Sequence, residues 1–224
     1  MVRPRPCDSL DAPRHPRMTD PVAPHAPGSA LAQAGPVAAQ LAELIDEGWA
    51  IFERFDADVR QKRFHPFVPA DYDQVLRALL ALRAPGQRFV EWGSATGVIT
   101  IMASLLGFDA YGIELDPSLG RIARELAVRF HSPAVFVDGS FIPTGYRWRP
   151  STGDGRSGTI GDGPSAYPVI GHPLEDFDVV YAYPWGGEEP MMLDLMRAYG
   201  RRGGLLLLQG DGGVRVYRDG RQID

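Results

Sequence analysis

Three acidic residues lie at the ends of successive apolar runs of this 224-residue chain. Glu91 lies in the run RFVEW, Glu114 in AYGIEL, and Asp138 directly follows VFV. A carboxylate in the position of Glu114 can accept hydrogen bonds from both hydroxyls of a ribose, each contributing roughly 1.5–3 kcal/mol. The alternative for any one of these acids is a side chain exposed to solvent at the end of a strand.

A glycine-containing turn, WGSATG, follows Glu91. Gly93 and Gly97 allow the backbone to turn tightly and to approach a ligand closely. The helix predicted to start near Gly97 presents free amide groups. A dinucleotide-binding turn has the pattern G-x-G-x-x-G, and the intermediate glycine is missing here, which disfavours NAD. The alternative is a turn that only packs a strand against a helix.

The third acid is followed by a small residue and, two positions later, an aromatic one. Asp138 together with the amides around Gly139 suits the edge of an adenine, and Phe141 suits the face of its ring. The alternative is a simple turn at the end of a strand. Asp116 is different, because a residue directly before Pro117 is expected to cap a helix.

Strands and helices must alternate to position these residues. Near-continuous apolar runs separated by helices indicate a parallel sheet covered on both faces, and right-handed crossovers make it doubly wound. Ligands of such sheets lie beyond the carboxyl ends of the strands, where the acids fall. We predict strands over 88–92, 110–115, 134–137, 177–182, 205–208 and 214–217, with helices over 97–106, 117–130 and 189–199.

The N-terminal residues 1–28 contain seven prolines and few large apolar side chains, which predicts a disordered tail. They lack the apolar stretch of a signal peptide. Met18 offers a second start after Met1, and we hypothesise that residues 1–17 are a misannotated extension.

Two further segments complete the predicted organisation. Residues 29–84 form a helical segment, with helices over 37–55 and after Asp71. Residues 85–224 form the ligand-binding domain, in which 144–173 is a Gly-rich loop insertion in place of a crossover helix.

Composition excludes several classes of protein. A single cysteine excludes a disulfide framework and a cysteine-based zinc site, and the five histidines show no metal-ligand spacing. The formal net charge of −5 gives no electrostatic footprint for nucleic acid or anionic membranes. No apolar run approaches the roughly 18–20 residues of a membrane span. We expect a cytoplasmic protein without a metal.

Together, the segments around the three acids resemble motifs I, II and III of the class I S-adenosylmethionine-dependent methyltransferases. The resemblance covers roughly residues 88–210 and implies a Rossmann-like methyltransferase sheet. It implies that Glu91 and Gly93 lie near the methionine moiety, Glu114 on the ribose and Asp138 near the adenine amino group. The implied cofactor site also includes Ser94, Ala95, Gly97 and Gly139. Many relatives have glycine where this chain has Ala95, and a small residue is expected to fit there.

The end of the fourth predicted strand is similar to the motif IV region, but it departs from the pattern. Amino-methylating members carry Asn/Asp/Ser-Pro-Pro-aromatic, whereas this chain has Ala182 and Tyr183 at the first two positions. That departure puts N-methylation of nucleobases or glutamine-type amides in doubt. Pro184 and Trp185 still predict a rigid aromatic wall beside the reacting methyl group, with simple packing under a loop as the alternative.

A methyl transfer to a neutral nucleophile also needs a base. Tyr183 and Glu188 are the candidates, with Glu189 and His65 considered beside them. The alternative for Glu188 and Glu189 is a solvated helix start, stabilised by the helix dipole. The alternative for His65 is a structural role, and otherwise it joins Pro184 and Trp185 at the substrate.

The C-terminal part looks truncated relative to the family, with a sheet that stops at six strands. An exposed sheet edge is usually covered or paired, so we hypothesise a homodimer through it. The sequence therefore predicts an S-adenosylmethionine-dependent methyltransferase with an unidentified small-molecule or protein acceptor, and we do not expect nucleic acid. The alternatives are a non-catalytic binder of the same cofactor or nucleoside and, with less support, an NAD-dependent oxidoreductase.

Overall fold

A computed structural model of the protein describes residues 30–62, 65–147 and 163–223. Within them, seven strands form one sheet in the order β3-β2-β1-β4-β5-β6-β7. The first five strands along the chain pair in parallel, and β6 and β7 are antiparallel additions. The strands are β1 (Arg88–Trp92), β2 (Asp109–Glu114), β3 (Val135–Asp138), β4 (Val179–Ala182), β5 (Leu205–Gly210), β6 (Gly213–Arg218) and β7 (Arg221–Gln222).

Helices precede and connect these strands, and short 3₁₀ or π-helical turns accompany them at 35–37, 56–60 and 174–176. Asp71 caps the third helix as predicted, accepting a 3.1 Å hydrogen bond from the amide of Gln74. Asp116 likewise caps the fifth, accepting a 2.7 Å hydrogen bond from the amide of Ser118. The helices are α1 (Ala30–Gln33), α2 (Ala38–Phe55), α3 (Tyr72–Leu82), α4 (Val98–Leu105), α5 (Pro117–Arg129), α6 (Tyr167–Ile170) and α7 (Glu189–Tyr199).

Both faces of the sheet are buried, and the alternation of side chains along each strand divides the core in two. Val179 and Tyr181 of β4 pack with α1 to α5, while Val180 and Ala182 pack on the opposite face with α6 and α7. This arrangement confirms the predicted α/β class with a doubly wound, mostly parallel sheet.

The strand order reverses at β1, which pairs with β2 on one side and with β4 on the other. Crossovers that leave β1 in opposite directions open a crevice at the carboxyl ends of these strands. The three acids of the sequence pattern and the segment after β4 all fall at this end of the sheet.

The prediction of a six-stranded sheet is wrong, because β7 pairs with β6. Asp219 and Gly220 between them have φ angles of +50° and +76°. Asp-Gly with both residues in the left-handed region is the preferred two-residue hairpin turn, so the signal for this strand was present in the sequence. β7 covers part of the edge through which we hypothesised a homodimer.

The segment 144–173 is also less irregular than predicted, since α6 lies inside it. The side chain of Trp92 fixes this short helix by donating a 2.9 Å hydrogen bond from Nε1 to the hydroxyl of Tyr167. That contact joins residues distant in sequence, and no local pattern indicates it. The predicted tail 1–28 and the centre of the loop at 148–162 lie outside the described residues.

No helix in the described part of the chain combines the length and the apolar character needed to cross a bilayer. The described residues also contain no group of three or more His, Cys, Asp and Glu side chains that could hold a metal ion.

Candidate functional site

A cavity of about 350 Å³ lies at the carboxyl ends of β1 to β4, where the strand order reverses. Loops after all four strands contribute to its wall, and the segment before α3 forms the opposite side. Such a volume falls within the range of small-molecule and cofactor sites. It is lined by residues 65–68, 93, 95, 113–116, 119, 139, 141 and 183–186.

The turn after β1 depends on its glycines. Gly93 and Gly97 have φ angles of +73° and +81°, in the left-handed region that favours glycine. A Cβ on Gly97 would lie 2.6 Å from the ring of Phe136 and 2.8 Å from Cβ of Ala123. The amides of Gly93 and Ser94 both donate 2.9 Å hydrogen bonds to the carbonyl of Ile113, which fastens the turn to β2.

Ala95, between these two glycines, also has a left-handed backbone conformation, with a φ angle of +45°. It lines the cavity, and its amide donates a 2.7 Å hydrogen bond to Oε2 of Glu114. A left-handed conformation costs an L-residue roughly 1–2 kcal/mol. The small residue therefore fits in the space, as predicted, but it adopts a backbone conformation that suits glycine better.

Glu114 presents its carboxylate at the cavity, with each oxygen fixed by one backbone amide. Oε2 accepts from Ala95, and Oε1 accepts from the amide of Asp116 at 2.9 Å. Burial raises the pKa of Glu114 above its usual range, although these amides lower it. A carboxylate has about four acceptor positions, so each oxygen can accept a further hydrogen bond from a ligand hydroxyl.

Glu91 does not line the cavity but a smaller adjoining recess of about 40 Å³, which we call the annex. The annex also contacts Ser94, Tyr72 and Tyr181, and it shares part of its wall with the cavity. Glu91 is only 4% exposed, and its Oε2 accepts hydrogen bonds from the amide and hydroxyl of Thr100 at 3.0 and 2.6 Å. Burial raises the pKa of Glu91 to about 8, against the lowering effect of these two bonds.

Asp138 is not brought to the cavity, although Gly139 is. The two carboxylate oxygens of Asp138 accept hydrogen bonds from Arg124 at 2.9 and 3.2 Å. A Cβ on Gly120 of α5 would lie 2.3 Å from Oδ1 of Asp138, so the carboxylate packs directly against that helix. The structure thus places Asp138 in an ion pair with α5 and not among the residues that line the cavity, and its role at the adenine stays a prediction.

Phe141 does line the cavity, where the apolar side chains of Ile113 and Leu115 accompany it. Its ring stacks on Trp92 with centroids 4.9 Å apart and an interplanar angle of 12°. Because Trp92 is itself fixed by Tyr167, this wall of the cavity is anchored in the core. Leu115 was not predicted as a site residue. Its position directly after Glu114 and before Asp116 is the feature of the sequence that could have indicated it.

His65 ties the segment before α3 to the far wall of the cavity. Its Nδ1 accepts a 3.1 Å hydrogen bond from the amide of Phe67, so Nε2 is left to donate to Oδ2 of Asp116 at 3.2 Å. The ring also packs edge-on against Phe55 at 4.8 Å. These contacts support a structural role for His65, which holds the segment before α3 in position. Its place at the substrate stays a prediction. Phe64, the residue before His65, lies outside the described residues.

The segment after β4 lines the cavity with Tyr183, Pro184 and Trp185. An aromatic wall beside the reacting methyl group was predicted from these residues. Tyr183 also borders the annex. Burial and the nearby Asp211 raise the pKa of the Tyr183 hydroxyl, so it stays protonated near neutral pH.

Glu188 and Glu189 follow this wall in the chain but are not among the residues that line the cavity. Glu188 is 4% exposed, and its Oε2 accepts a 2.9 Å hydrogen bond from the amide of Trp185, which shapes the turn before α7. Glu189 accepts two hydrogen bonds from Arg215, at 3.0 and 2.7 Å, and one from the hydroxyl of Tyr217 at 2.7 Å. Glu188 is buried, so it is not the solvated residue expected at a helix start. It is also not among the residues that line the cavity, where a base would be needed.

The chain matches no protein-family model and no curated protein. Among solved structures, it is similar to an RNA methyltransferase from Salinibacter ruber in complex with S-adenosyl-L-homocysteine, at 18% identity and a TM-score of 0.45 over 63% of this chain and 76% of that one. Precorrin-6y C5,15-methyltransferase from Geobacter metallireducens gives 19% identity and a TM-score of 0.41 over 60% of each chain.

A third similar structure is the tRNA (uracil-54, C5)-methyltransferase of Pyrococcus abyssi in complex with S-adenosyl-L-homocysteine, at 16% identity and a TM-score of 0.40. The match covers 62% of this chain but only 28% of that one. These similarities concern the fold alone.

Proposed function

We propose that the protein binds S-adenosylmethionine in the cavity and transfers its methyl group to an unidentified small-molecule or protein acceptor. The observation that carries this proposal is the carboxylate of Glu114, which faces the cavity and is held by the amides of Ala95 and Asp116. A fixed carboxylate with free acceptor positions suits the two vicinal hydroxyls of a ribose.

The other walls of the cavity fit the remaining parts of that cofactor. Leu115 and Phe141 offer apolar surface to a flat base, next to Gly139. The turn at Gly93 and Ala95 lies between this apolar surface and the wall after β4, where the methionine end is expected. Asp138 is paired with Arg124, so the adenine amino group would have to be recognised by other groups.

The bound cofactor would supply a methyl group that is already activated for transfer. The protein's contribution is then chiefly to orient the acceptor in line and to exclude water. Tyr183, Pro184 and Trp185 form the wall on the side where an acceptor would lie. Tyr183 remains the candidate for handling a proton, since it is the titratable side chain of that wall.

A second function, binding of the same ligand without turnover, is favoured by the positions of Glu188 and Glu189. Both carboxylates serve the turn or the strand beside them, and neither lines the cavity. An NAD-dependent oxidoreductase has less support, because the glycine spacing of the turn after β1 does not fit it.

Calorimetry with S-adenosylmethionine, S-adenosylhomocysteine and NAD separates the cofactors. We expect the first two to bind, and Glu114→Ala to weaken them at least about 100-fold, because two charge-assisted hydrogen bonds are lost. Glu125→Ala on α5 is the matched control, since Glu125 is exposed and pairs only with Arg121 in the described structure. If none of the ligands binds, or if Glu114→Ala leaves binding unchanged, the assignment of the site fails.

Turnover distinguishes the enzyme from the binder. Consumption of the methyl donor is followed in the presence of cell extract, with Glu114→Ala as the inactive reference. Donor consumption that depends on Glu114 supports a transferase. Tight binding of the donor with no consumption in any extract fraction supports the binder.

A further inference from the structure

A cavity of about 280 Å³ lies at the other end of the sheet from the candidate site, and we call it the second cavity. It is bounded by the last turns of α7, the segment from Gly200 to Gly204 and the hairpin turn between β6 and β7. Its volume is close to the lower end of the range for small-molecule sites. Because it lies beside the amino end of β5, the length of the sheet separates it from the carboxyl ends of β1 to β4.

Two tight turns beside the second cavity are joined to each other. The amide of Gly204 donates a 2.9 Å hydrogen bond to the carbonyl of Arg201, and Gly203 between them has a φ angle of +75°. The amide of Gly203 in turn donates a 2.9 Å hydrogen bond to Oδ1 of Asp219 in the hairpin turn. These bonds fix the two turns against each other, so little ordering of the backbone is required when a ligand binds.

Three arginines line the second cavity, and they differ in what else holds them. Arg197 pairs with Asp194 and lies in the last turn of α7, where a cation also stabilises the negative end of the helix. Arg201 pairs through Nε with Asp178 at 3.3 Å, and its two terminal nitrogens contact no other described residue. Arg202 forms neither an ion pair nor a side-chain hydrogen bond within the described part of the chain. Its position at the second cavity therefore has no structural explanation there.

The charge of the second cavity is opposite in sign to that of the whole chain. One acid, Asp219, is among the described residues that line it, so the arginines outnumber the acids by two. Arg218 and Arg221 flank the same hairpin turn and form no ion pair with described residues. The full chain, in contrast, carries a formal net charge of −5. An excess of positive charge around a concave surface favours the binding of an anion.

The remaining lining of the second cavity is largely apolar. Leu193 and Met196 of α7, Leu206 of β5 and Tyr217 of β6 lie beside the arginines. The hydroxyl of Tyr217 donates a 2.7 Å hydrogen bond to Glu189, so its proton is not offered to a ligand. Apolar lining with a few charged groups is the usual construction of a small-molecule site. The charged groups here are guanidinium groups, whose paired N–H donors match the oxygens of a phosphate.

We propose that the second cavity binds an organic phosphomonoester, with its phosphate between Arg201 and Arg202 and its apolar body against α7 and β5. A phosphomonoester carries close to two negative charges above its second pKa of about 6, which matches the excess of arginines in the lining. This inference does not rest on the proposed function, since the two cavities share no residue. The phosphate is held there as a bound ligand and not as a methyl acceptor, because the sheet separates the two cavities.

Calorimetry with phenyl phosphate at pH 7.5 and constant ionic strength tests the site. We expect phenyl phosphate to bind at least about tenfold more tightly than inorganic phosphate, which lacks the apolar body, and than phenol, which lacks the charge. Arg202→Ala should weaken phenyl phosphate about tenfold, because a charged hydrogen-bond donor is lost. Arg83→Ala is the matched control and should change nothing. Arg83 is exposed, does not line the second cavity and likewise forms no ion pair with described residues.

Asp219→Asn should change the affinity in the opposite direction. Asparagine keeps an oxygen that can accept from the amide of Gly203 and, followed by Gly220, suits the same hairpin turn. The substitution therefore removes only the negative charge that opposes the phosphate. We expect phenyl phosphate to bind about two- to fivefold more tightly. Equal effects of Arg202→Ala and Arg83→Ala, or an affinity that Asp219→Asn leaves unchanged, would overturn the placement of the phosphate.

An oligouridylate distinguishes a small phosphomonoester from the backbone of a nucleic acid. Each of its phosphodiesters carries a single charge, and we expect it to bind more weakly than phenyl phosphate and without dependence on Arg202. Tighter binding of the oligouridylate that is lost in Arg202→Ala would assign the arginines to a nucleic acid and overturn the proposal. Failure of phenyl phosphate to bind the wild-type protein would overturn it as well. Neither result depends on whether S-adenosylmethionine binds at the candidate site.

Discussion

The amide of Ala95 donates a 2.7 Å hydrogen bond to Oε2 of Glu114, and Ala95 itself lies in the left-handed region with a φ angle of +45°. The strained residue is thus also the residue whose amide orients the carboxylate of Glu114. The left-handed turn aims this amide at β2, so the carboxylate is held in the cavity before any ligand arrives.

Ala95→Gly should stabilise the free protein by about 0.5 kcal/mol. Removing the Cβ relieves roughly 1–2 kcal/mol of strain, and the greater freedom of glycine in the unfolded chain offsets about 0.5–1 kcal/mol of that gain. Ala50→Gly, in the interior of α2, is the matched control and should cost about 1 kcal/mol. Urea unfolding measures both, and equal destabilisation by the two substitutions would show that Ala95 is not strained.

The turn after β1 and the acid at the end of β2 could be predicted because their signals are local. Gly93 and Gly97 mark backbone conformations that few other residues adopt, and Glu114 ends an apolar run that is typical of a buried strand between helices. Asp219-Gly220 carried an equally local signal for the last hairpin.

The contacts of Asp138 and Glu188 could not be predicted in the same way. Asp138 is held by Arg124 across a helix-strand crossover, and Glu188 turns back to the amide of Trp185. Each acid lies at the boundary of a regular element, and sequence alone does not tell to which side of that element its side chain turns. The annex was missed because it needs Tyr72 and Tyr181 from separate elements to meet Glu91.

Glu91 should make the stability of the free protein fall as pH rises. Burial raises the pKa of Glu91 to about 8 from an ordinary value of 4.5, so between these values the unfolded chain has lost a proton that the folded protein retains. Stability is then fully present below about pH 4.5 and decreases by up to about 1.4 kcal/mol per pH unit until the folded group titrates.

Urea unfolding of wild type and Glu91→Gln at several pH values between 4 and 9 checks this dependence. The difference in free energy of unfolding between the two proteins isolates Glu91 from all other titrating groups. As pH rises, Glu91→Gln should become more stable relative to wild type. A difference that stays constant across the range would mean that Glu91 is ionised in the folded protein.

Asp116 should act in the opposite direction and in a more acidic range. Burial opposes ionisation there, but hydrogen bonds from Ser118 and His65 lower the pKa of Asp116 below its ordinary value of 3.8. Its contribution is therefore present above the unfolded pKa and lost as pH falls through the folded one. The side chain is 34% exposed, so we expect less than about 1 kcal/mol.

Asp116→Asn and Asp116→Ala separate the charge from the helix cap. Asparagine caps helices as well as aspartate does, so Asp116→Asn should lose only the dependence on acid pH. Asp116→Ala should lose roughly 0.5–2 kcal/mol at every pH, because the hydrogen bond to the amide of Ser118 disappears. Chemical denaturation at pH 3 and pH 5 distinguishes them, and an unchanged acid dependence in Asp116→Asn would contradict the assignment.

Trp185 should contribute to affinity through the face of its ring. The residue lines the cavity after β4, and its backbone amide is fixed by Glu188, so a side-chain substitution leaves the turn in place. A cation near an indole face gains about 0.5–2 kcal/mol, which corresponds to roughly 2- to 30-fold in affinity. Trp185→Ala should therefore weaken the binding of S-adenosylmethionine more than that of S-adenosylhomocysteine, because only the former carries the sulfonium charge.

Trp185→Phe is the control, because it keeps an aromatic face and should lose less affinity than Trp185→Ala. Calorimetry with both ligands measures the difference, and equal losses for the charged and the neutral sulfur would assign Trp185 to packing alone.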